Sequence, residues 1–377
     1  MKIVLAPDSY KGSLTAKQAC DAMEEGILRA APHAEIAKVP MADGGEGTVQ
    51  SLIDATGGKL LTVEVTGPLG DKVKASYGIL GDGETAVIEM AEASGLYLIA
   101  AENRNPLATT TYGTGELIRA ALDQGCRKFI MGLGGSATND GGAGMAQALG
   151  VRLLDAEGAE LTPGGGALSR LERIDASGLD PRIAECAFTV ACDVDNPLLG
   201  PAGASAVFGP QKGATPAMVA ELDAALGHYA AALRRDLGAD VAELAGAGAA
   251  GGLGAGVVAF LNAELRRGVD IVIAASNLEK HLTGATLVFS GEGQCDFQTE
   301  RGKTPYGVAI TAQKQGVPCF LIAGAVGQGI EVLYKSGVAS VFSMVDKPMA
   351  LEDAMSSAHR LLADAAERIM RVYLTAR

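Results

Sequence analysis

The sequence predicts an α/β protein in which a doubly wound parallel-sheet domain is interrupted by a second, mixed α/β domain. Short apolar runs, Gly-rich loops and amphipathic helices alternate at the start of the chain, and the same order returns near its end. Strand-like runs joined by tight turns lie between them. Strand–loop–helix repetition is typical of a parallel sheet. A chain of 377 residues is also long enough for two domains.

The first segment has the pattern of a strand, a helix and a second strand. Residues 2–6 form a short apolar run that precedes a loop at 8–12. Thr15 and Gln18 are spaced as a capping box, which predicts a helix that ends before Pro32. A second strand is predicted at 35–39, and the loop after it leads to a helix through about residue 55.

A different pattern begins near residue 60. Residues 59–65, 73–80 and 85–89 are strand-like runs separated by Gly-containing turns, which indicates an antiparallel or mixed sheet. Further along, periodicity predicts helices near 113–124, 142–149, 215–236, 253–266 and 276–281, and strands near 128–132 and 187–191.

The first pattern returns at residue 286. A strand at 286–289, a loop at 291–303 and a helix at 305–315 are followed by strands at 318–322 and 340–344, with a helix near 330–335 between them. A long final helix has apolar residues at a 3.6-residue period, at Ala354, Ala358, Leu361, Ala365, Ile369 and Val372.

These elements predict a discontinuous Rossmann/flavodoxin-like domain. It comprises residues 1–60 plus 283–377, and an inserted α/β domain occupies 61–282. The first two and last three strands of the chain should form one five-stranded parallel sheet. Ligands of such sheets bind beyond the carboxyl ends of the strands. We expect the active site in the cleft between the two domains.

Composition excludes several classes of function. The chain has 31 Lys+Arg and 44 Asp+Glu, a net charge of −13, and no run of five basic residues. We therefore expect no nucleic-acid or membrane partner. The six Cys form no C-x-x-C pair and the four His are scattered, so a zinc site is not expected. We expect a reduced cytoplasmic protein with small-molecule partners, and leave a homo-oligomer open.

Four loops could carry chemistry, at 8–12, 43–48, 134–142 and 291–304. Each combines Gly with Asp or Glu, Ser, Thr or Asn, or Lys. Glycines leave backbone amides free to bind anions, and carboxylates beside them are suited to Mg²⁺. Glycines, carboxylates and lysines together are typical of a nucleotide phosphoryl-transfer site. Any one of these loops taken alone is equally well explained as a tight turn.

Two familiar nucleotide motifs are rejected. Residues 302–304 read Gly-Lys-Thr, but Phe297 stands where a P-loop needs its first Gly. Residues 246–251 fit G-x-G-x-x-G, yet Asp270 precedes the apolar run at 271–273 instead of following a strand. A nicotinamide site for a hydroxyacid dehydrogenase is therefore disfavoured, and the segment is interpreted as the lead-in to a closely packed helix.

The loops together resemble the bacterial glycerate kinase family (type 1, glycerate 2-kinase-like). The resemblance spans nearly the whole chain, through the motifs APDSYKGS at 6–13, ADGGEGT at 42–48, TGPLG at 66–70, GGSATNDGGAG at 134–144, CDV at 192–194, NPL at 196–198, FGPQKG at 208–213 and GAGAAGG at 246–252. It implies phosphorylation of D-glycerate by ATP at the 2-hydroxyl, with Mg²⁺, and a Rossmann-like domain interrupted by a second α/β domain. Formation of 3-phosphoglycerate, or a non-catalytic sugar-acid-binding protein, are the alternatives.

One position departs from the family pattern Ser-Gly-Glu-Gly-Arg-x-Asp-x-Gln-Thr. Gln294 replaces the Arg, while Glu292 and Asp296 match. If that Arg binds phosphate or the substrate carboxylate, Arg301 or Lys303 must supply the missing charge.

Site residues are assigned by their chemistry. Asp193 is the expected base that orients the hydroxyl, although an Asx turn before Pro197 is the alternative explanation for Asp195 and, less so, for Asp193. Lys11 and Lys303 are expected to neutralise phosphate or carboxylate, and the candidates for Mg²⁺ are Asp43, Glu46 and Glu292. The expected substrate- or phosphate-binding residues are Asp8, Ser9, Gly44, Gly45, Gly134, Gly135, Ser136, Asn139, Asn196 and Arg301.

Overall fold

The computed structural model describes residues 1–45, 47–300 and 302–375. The described residues form the strands β1 (Lys2–Leu5), β2 (Glu35–Lys38), β3 (Lys59–Thr66), β4 (Lys72–Ile79), β5 (Thr85–Glu89), β6 (Lys128–Gly132), β7 (Arg152–Leu154), β8 (Arg173–Asp175), β9 (Ala187–Ala191), β10 (Glu264–Arg266), β11 (Leu287–Cys295), β12 (Cys319–Val326) and β13 (Val338–Ser343).

The α-helices are α1 (Ala16–Ala30), α2 (Thr48–Thr56), α3 (Ala91–Ser94), α4 (Tyr112–Asp123), α5 (Ala143–Ala148), α6 (Ala204–Phe208), α7 (Pro216–Leu237), α8 (Ala249–Leu261), α9 (Gly268–Ala275), α10 (Leu278–Leu282), α11 (Thr304–Lys314), α12 (Glu331–Tyr334), α13 (Leu351–Ser356) and α14 (Ala358–Thr375). Within the described ranges, none of these helices combines the length and apolar character that crossing a membrane requires.

The chain divides into two compact units, each discontinuous in sequence. The first unit comprises Met1–Asp43, Gln50–Gly57 and Val269–Arg377, and the second comprises Gly44–Val49 and Gly58–Gly268.

The sheet of the first unit has five parallel strands in the order β13-β12-β11-β1-β2. This confirms the predicted sheet built from the first two and last three strands of that region. Counted along the chain within this sheet, the order is 2-1-3-4-5, the flavodoxin-like arrangement. The strand order reverses between β1 and β11, which are direct neighbours.

Helices α1 and α14 cover one face of this sheet. Their apolar side chains pack on strand residues that include Ile3, Leu5 and Phe289. The predicted capping box of α1 is present, with the Thr15 side chain accepting from the Gln18 amide and the Gln18 side chain accepting from the Thr15 amide. Because this reciprocal pair satisfies the first free amides of the helix, it fixes where α1 begins.

The second unit contains a mixed six-stranded sheet in the order β10-β9-β6-β5-β4-β3. Strands β3, β4 and β5 are antiparallel, whereas β5, β6, β9 and β10 run parallel. This confirms the predicted change to a mixed sheet near residue 60. The carboxyl ends of β5, β6 and β9 consequently lie at one edge of the sheet.

The predicted helix at 253–266 is partly wrong. Helix α8 ends at Leu261, because Asn262 takes a left-handed conformation with φ of 50°. Residues 264–266 instead form β10, which pairs in parallel with β9. The free edge of β9 supplies backbone partners for these residues, a long-range effect that helical periodicity does not register.

Two further boundaries differ from the predictions. Strand β11 continues through the predicted loop as far as Cys295, paired with β12. Gly291 permits this pairing, since a Cβ there would lie 2.0 Å from the Ile322 carbonyl oxygen. The long C-terminal helix is interrupted at Ser357, between α13 and α14. Val372, expected on the apolar face, is exposed.

Candidate active site

The first unit brings two predicted carboxylates to the point where its strand order reverses. Asp8 follows β1, and Glu292 lies in the carboxyl half of the neighbouring β11. The Asp8 amide donates a 2.9 Å hydrogen bond to the Gly291 carbonyl, which joins the two strand ends. In doubly wound sheets, ligands bind in the crevice outside the carboxyl ends of the strands at this reversal.

The Asp8 carboxylate is held by two donors. The Ser9 amide donates to Oδ1 over 2.6 Å, and the Thr304 hydroxyl donates to Oδ2. Burial raises the pKa of Asp8 to about 6, the hydrogen bonds from Thr304 and Ser9 oppose this, and the charges of Asp43 and Glu292 raise the pKa further. The charges of Asp43 and Glu292 therefore disfavour ionisation of Asp8, an effect that a bound cation would relieve.

Glu292 is almost fully buried and forms an ion pair. Lys303 Nζ lies 3.1 Å from its Oε2, and the Thr299 hydroxyl donates to its Oε1 over 2.7 Å. Burial raises the pKa of Glu292, which these partners oppose. The structure thus joins a predicted metal ligand to a predicted phosphate-binding cation.

Lys303 and Lys11 have different surroundings. Lys303 is the N-cap residue of α11, where Pro305 stabilises the first turn. Lys11 is exposed, in a tight turn closed by two hydrogen bonds between the backbones of Tyr10 and Leu14. The buried Tyr10 hydroxyl donates to the Ile322 carbonyl and anchors this turn beside β12.

The fit of these carboxylates to Mg²⁺ follows from their donor chemistry. Mg²⁺ prefers oxygen ligands, and the charges of Asp43 and Glu292, which disfavour ionisation of Asp8, favour a cation beside it. Asp8 and Glu292 each accept hydrogen bonds at both carboxylate oxygens, so a bound cation would share these oxygens with their present donors. Among the described residues, no group of three His, Cys, Asp or Glu is placed to hold a metal ion. Glu46 lies outside the described residues.

The second unit brings together the other predicted loops at the carboxyl edge of β5, β6 and β9. A Cβ on Gly132, the last residue of β6, would lie 2.9 Å from the Gly44 carbonyl, and one on Gly134 would lie 4.0 Å from the Gly45 Cα. A Cβ on Gly44 would lie 2.8 Å from the Cβ of Ala191, the last residue of β9. Glycines therefore permit the close approach of residues 44 and 45 to this edge.

The loop after β6 presents unbound backbone amides. Gly134 and Gly135 are exposed, and Gly135 has a φ of +75°. The loop is held by hydrogen bonds from the Leu96 amide to the Gly135 carbonyl and from the Ala137 amide to the Ser94 carbonyl. Within the described part of the chain, the amides of Gly134 and Gly135 have no backbone hydrogen-bond acceptor. Such a cluster of free N–H groups is suited to bind an anion.

Asp193 lies at the same sheet edge, just after β9. Its side chain is exposed, and its Oδ1 accepts a 3.0 Å hydrogen bond from the Gly268 amide. The backbone thus orients a solvent-accessible carboxylate at this edge.

Two predicted binding residues make hydrogen bonds within the protein. Asn139 is fully buried and donates to the Ser205 hydroxyl over 3.0 Å. Asn196 donates to the Ala202 carbonyl over 2.7 Å. Arg301 lies outside the described residues. Gln294 is exposed and donates to Asp296 over 2.8 Å.

Four further residues belong to these groups although the sequence did not single them out. Thr299 and Thr304 hold the two carboxylates of the first unit. In the second unit, Glu89 ends β5 and accepts a 3.0 Å hydrogen bond from the Val49 amide, and Lys212 contacts the glycine loop. Thr299, Thr304 and Lys212 lie within quoted motifs, whereas Glu89 is marked only by its place at the end of a strand.

The G-x-G-x-x-G segment packs against the glycine loop. A Cβ on Gly251 would lie 1.9 Å from the Thr138 carbonyl oxygen, and one on Gly256 would lie 2.5 Å from the Gly141 carbonyl oxygen. Its glycines therefore allow helix α8 to approach the backbone of residues 138–141. This supports the interpretation as a closely packed helix lead-in.

Comparison with known proteins identifies the family. The model of the glycerate kinase family matches residues 3–374. A glycerate kinase of Halalkalibacterium halodurans is 54% identical over 97% of both chains, and a glycerate 2-kinase of Escherichia coli is 53% identical over 98% of this chain and 97% of its own. The crystal structure of a candidate glycerate kinase 2 from Salmonella typhimurium LT2 has a TM-score of 0.92, with 51% identity over 100% of this chain and 99% of the other.

Carboxylates at a strand-order reversal and a glycine loop with free amides are typical of α/β enzymes that act on phosphorylated ligands. The family match makes the class specific: the protein is an enzyme, a phosphotransferase with an alcohol group as acceptor. The chain belongs to the glycerate kinase family.

Proposed function

We propose that this enzyme transfers the γ-phosphoryl group of ATP to D-glycerate and forms 2-phospho-D-glycerate. The Escherichia coli relative is named a glycerate 2-kinase, which specifies the 2-hydroxyl, and it is 53% identical to this chain. The free amides of Gly134 and Gly135 are the observation that carries the proposal, because they suit the anionic oxygens of a phosphate or carboxylate.

The reaction is an in-line displacement. The 2-hydroxyl oxygen bonds to the γ-phosphorus, the bond from that phosphorus to the bridging oxygen breaks, and ADP leaves with the electron pair. Asp193 accepts the hydroxyl proton and later releases it to water. Its exposed carboxylate, oriented by the Gly268 amide, suits this role.

Charge neutralisation completes the proposed mechanism. Asp43, Glu46 and Glu292 are the predicted ligands of Mg²⁺, and the half-buried carboxylate of Asp8, whose pKa the charges of Asp43 and Glu292 raise, is a further candidate. Bound Mg²⁺ supplies positive charge to the phosphate oxygens. Lys11 adds a cation at the end of β1, and Lys303 holds Glu292 in place.

The test is ADP formation by the purified protein with ATP, Mg²⁺ and D-glycerate. We expect ADP only when all three are present, and loss of the activity with EDTA that excess Mg²⁺ restores. L-glycerate is the matched control for the acceptor, and GTP for the donor. Binding of D-glycerate without ADP formation would overturn the proposal.

A further inference from the structure

Lys212 is a buried lysine that contacts the glycine loop of the second unit. Its side chain is only 1% exposed. It ends the short 3-10 turn Pro210–Lys212, and Gly213 follows with a φ of +92°, where a Cβ would lie 2.7 Å from the Arg104 carbonyl oxygen. The chain reversal after Lys212 therefore needs glycine, and it fixes the direction in which the lysine enters the interior.

Among the described residues, the ammonium group has hydrogen-bond partners only in the glycine loop. Lys212 Nζ donates to the Ser136 hydroxyl and to the Thr138 carbonyl, both over 2.7 Å. Among the described residues, no carboxylate lies within ion-pair distance of it. The charge of Asp140 raises the pKa of Lys212. The Asp140 carboxylate itself accepts hydrogen bonds from Thr111, Gly142 and Gly144.

Such an arrangement is costly. An ammonium group loses its hydration on burial, and two neutral hydrogen-bond partners restore only part of it. Consistently, burial lowers the pKa of Lys212 to about 7. An apolar side chain would fill the space at lower cost, so the charge itself requires an explanation.

The hydrogen bond to Ser136 has a defined direction. An ammonium group has donors and no acceptor, so the Ser136 oxygen must accept, and its own proton must be donated elsewhere. Among the described residues, the Ser136 hydroxyl makes no hydrogen bond in which it donates this proton. Ser136 is 7% exposed and directly follows the free amides of Gly134 and Gly135.

We propose that Lys212 is a positioning residue that fixes the Ser136 hydroxyl as a hydrogen-bond donor to an anionic oxygen of the ligand bound at the Gly134 and Gly135 amides. This inference rests on the proposed function. The anionic oxygen belongs either to a phosphate of ATP or to the carboxylate of D-glycerate. Separate measurements of KM for the two substrates distinguish these sources.

The experiment is a double-mutant cycle with Ser136→Ala and Lys212→Met. We expect each single variant to lower kcat/KM about ten- to hundredfold for the substrate whose oxygen is bound, the usual effect of losing one hydrogen bond to a charged group. The double variant should lose no more than the poorer single variant, because both remove the same donor. Independent effects that multiply would overturn the link between the two residues.

Ser94→Ala is the matched control. Ser94 is also buried, beside the same loop, and its hydroxyl bonds to that of Thr114 over 2.9 Å. We expect it to lower the melting temperature without lowering kcat/KM. If Ser136→Ala behaves in the same way, the inference is wrong, while ADP formation by the wild type still upholds the proposed function. Wild type without ADP formation would refute both.

The Lys212→Met variant could fail to fold, so the pH profile of the Ser136→Ala variant provides a second test. Asp140 is the titratable group whose charge acts on Lys212. When Lys212 loses its proton, its nitrogen can accept the Ser136 proton and turn the donor inward. We expect wild-type kcat/KM to fall above about pH 7 and that fall to be absent in Ser136→Ala. A fall that persists unchanged in Ser136→Ala would overturn the inference.

Discussion

Lys303 Nζ lies 3.1 Å from Glu292 Oε2, so a cation and a carboxylate from one loop of the sequence form an ion pair in the structure. Lys303 caps helix α11, and Glu292 lies in strand β11. Glu292 is 9% exposed, so its charge depends on this partner and on Thr299. In this pair the positive charge of Lys303 balances the negative charge of Glu292. Both charges therefore remain at the carboxyl end of β11, next to Asp8 at the strand-order reversal.

Replacement of Lys303 should therefore lower both the stability of the protein and its rate of ADP formation. Lys303→Met leaves Glu292 without its cation, and because the lysine is partly exposed we expect a loss of about 1 kcal/mol in the free energy of unfolding. Adding Glu292→Gln should recover stability without recovering activity. Urea unfolding measures the first effect and ADP formation the second. Lys314→Met, on the exposed side of α11, is the control, and an equal loss there would contradict the account.

Asp8→Asn should stabilise the protein at neutral pH while it lowers activity. The folded-state pKa of Asp8 is raised from 3.8 to about 6. The stability that protonation of this residue contributes is therefore present below about pH 4 and lost as the pH rises through 6. A pKa raised by about two units means that ionised Asp8 lowers the free energy of unfolding at neutral pH by about 3 kcal/mol. The asparagine loses one hydrogen bond, which reduces the expected gain by about 1 kcal/mol.

We accordingly expect Asp8→Asn to unfold at higher urea concentration than wild type at pH 7.5, by about 2 kcal/mol, and to lose that advantage at pH 4. The exposed Asp353→Asn in α13 is the control and should change little at either pH. Equal destabilisation of Asp8→Asn at both pH values would show that its charge is not strained.

Asp193→Asn should abolish turnover and leave ATP binding nearly intact. The amide oxygen of Asn can still accept the hydrogen bond from Gly268, so the loop is preserved and only the base is lost. We expect kcat to fall about 10²- to 10⁴-fold, with an unchanged Kd for ATP by calorimetry. Asp195→Asn, exposed in the same loop, should retain activity. Loss of both binding and turnover in Asp193→Asn would instead indicate a structural role.

Gln294→Arg should strengthen binding of an anionic substrate. Gln294 is exposed, and its side-chain amide donates to the neighbouring Asp296 over 2.8 Å, so an arginine has room at this position. We expect KM for D-glycerate or ATP to fall about two- to tenfold with little change in kcat, because a single exposed charge acts weakly. Gln298→Arg, exposed in the same loop, is the control; a similar effect there would mean that the position of the charge is unimportant.

The elements that could be predicted from sequence are those with strong local patterns. Strands at 128–132 and 187–191 have the predicted bounds, since each is an apolar run closed by turn residues. The capping box of α1 was equally clear, because its two residues are three positions apart. The β10 strand was missed, since only the free edge of β9 makes residues 264–266 extended.

Site contacts between distant residues could not be predicted in the same way. The Thr304 hydroxyl reaches Asp8 across 296 positions, and Lys212 reaches Ser136 across 76. Nothing local distinguishes Lys212 from a surface lysine; its burial follows from the turn at Gly213 and the packing around it. The glycine loops were recognisable because free amides require glycine, whereas the groups that support those loops required the fold.

The most direct test of the proposed reaction is ³¹P NMR of the protein incubated with ATP, Mg²⁺ and D-glycerate. We predict the loss of the γ-phosphate signal of ATP and the appearance of a phosphomonoester signal that matches 2-phospho-D-glycerate. A signal of 3-phosphoglycerate would keep the enzyme class and contradict the proposed position of transfer. Release of inorganic phosphate alone, with no phosphomonoester, would contradict the central claim.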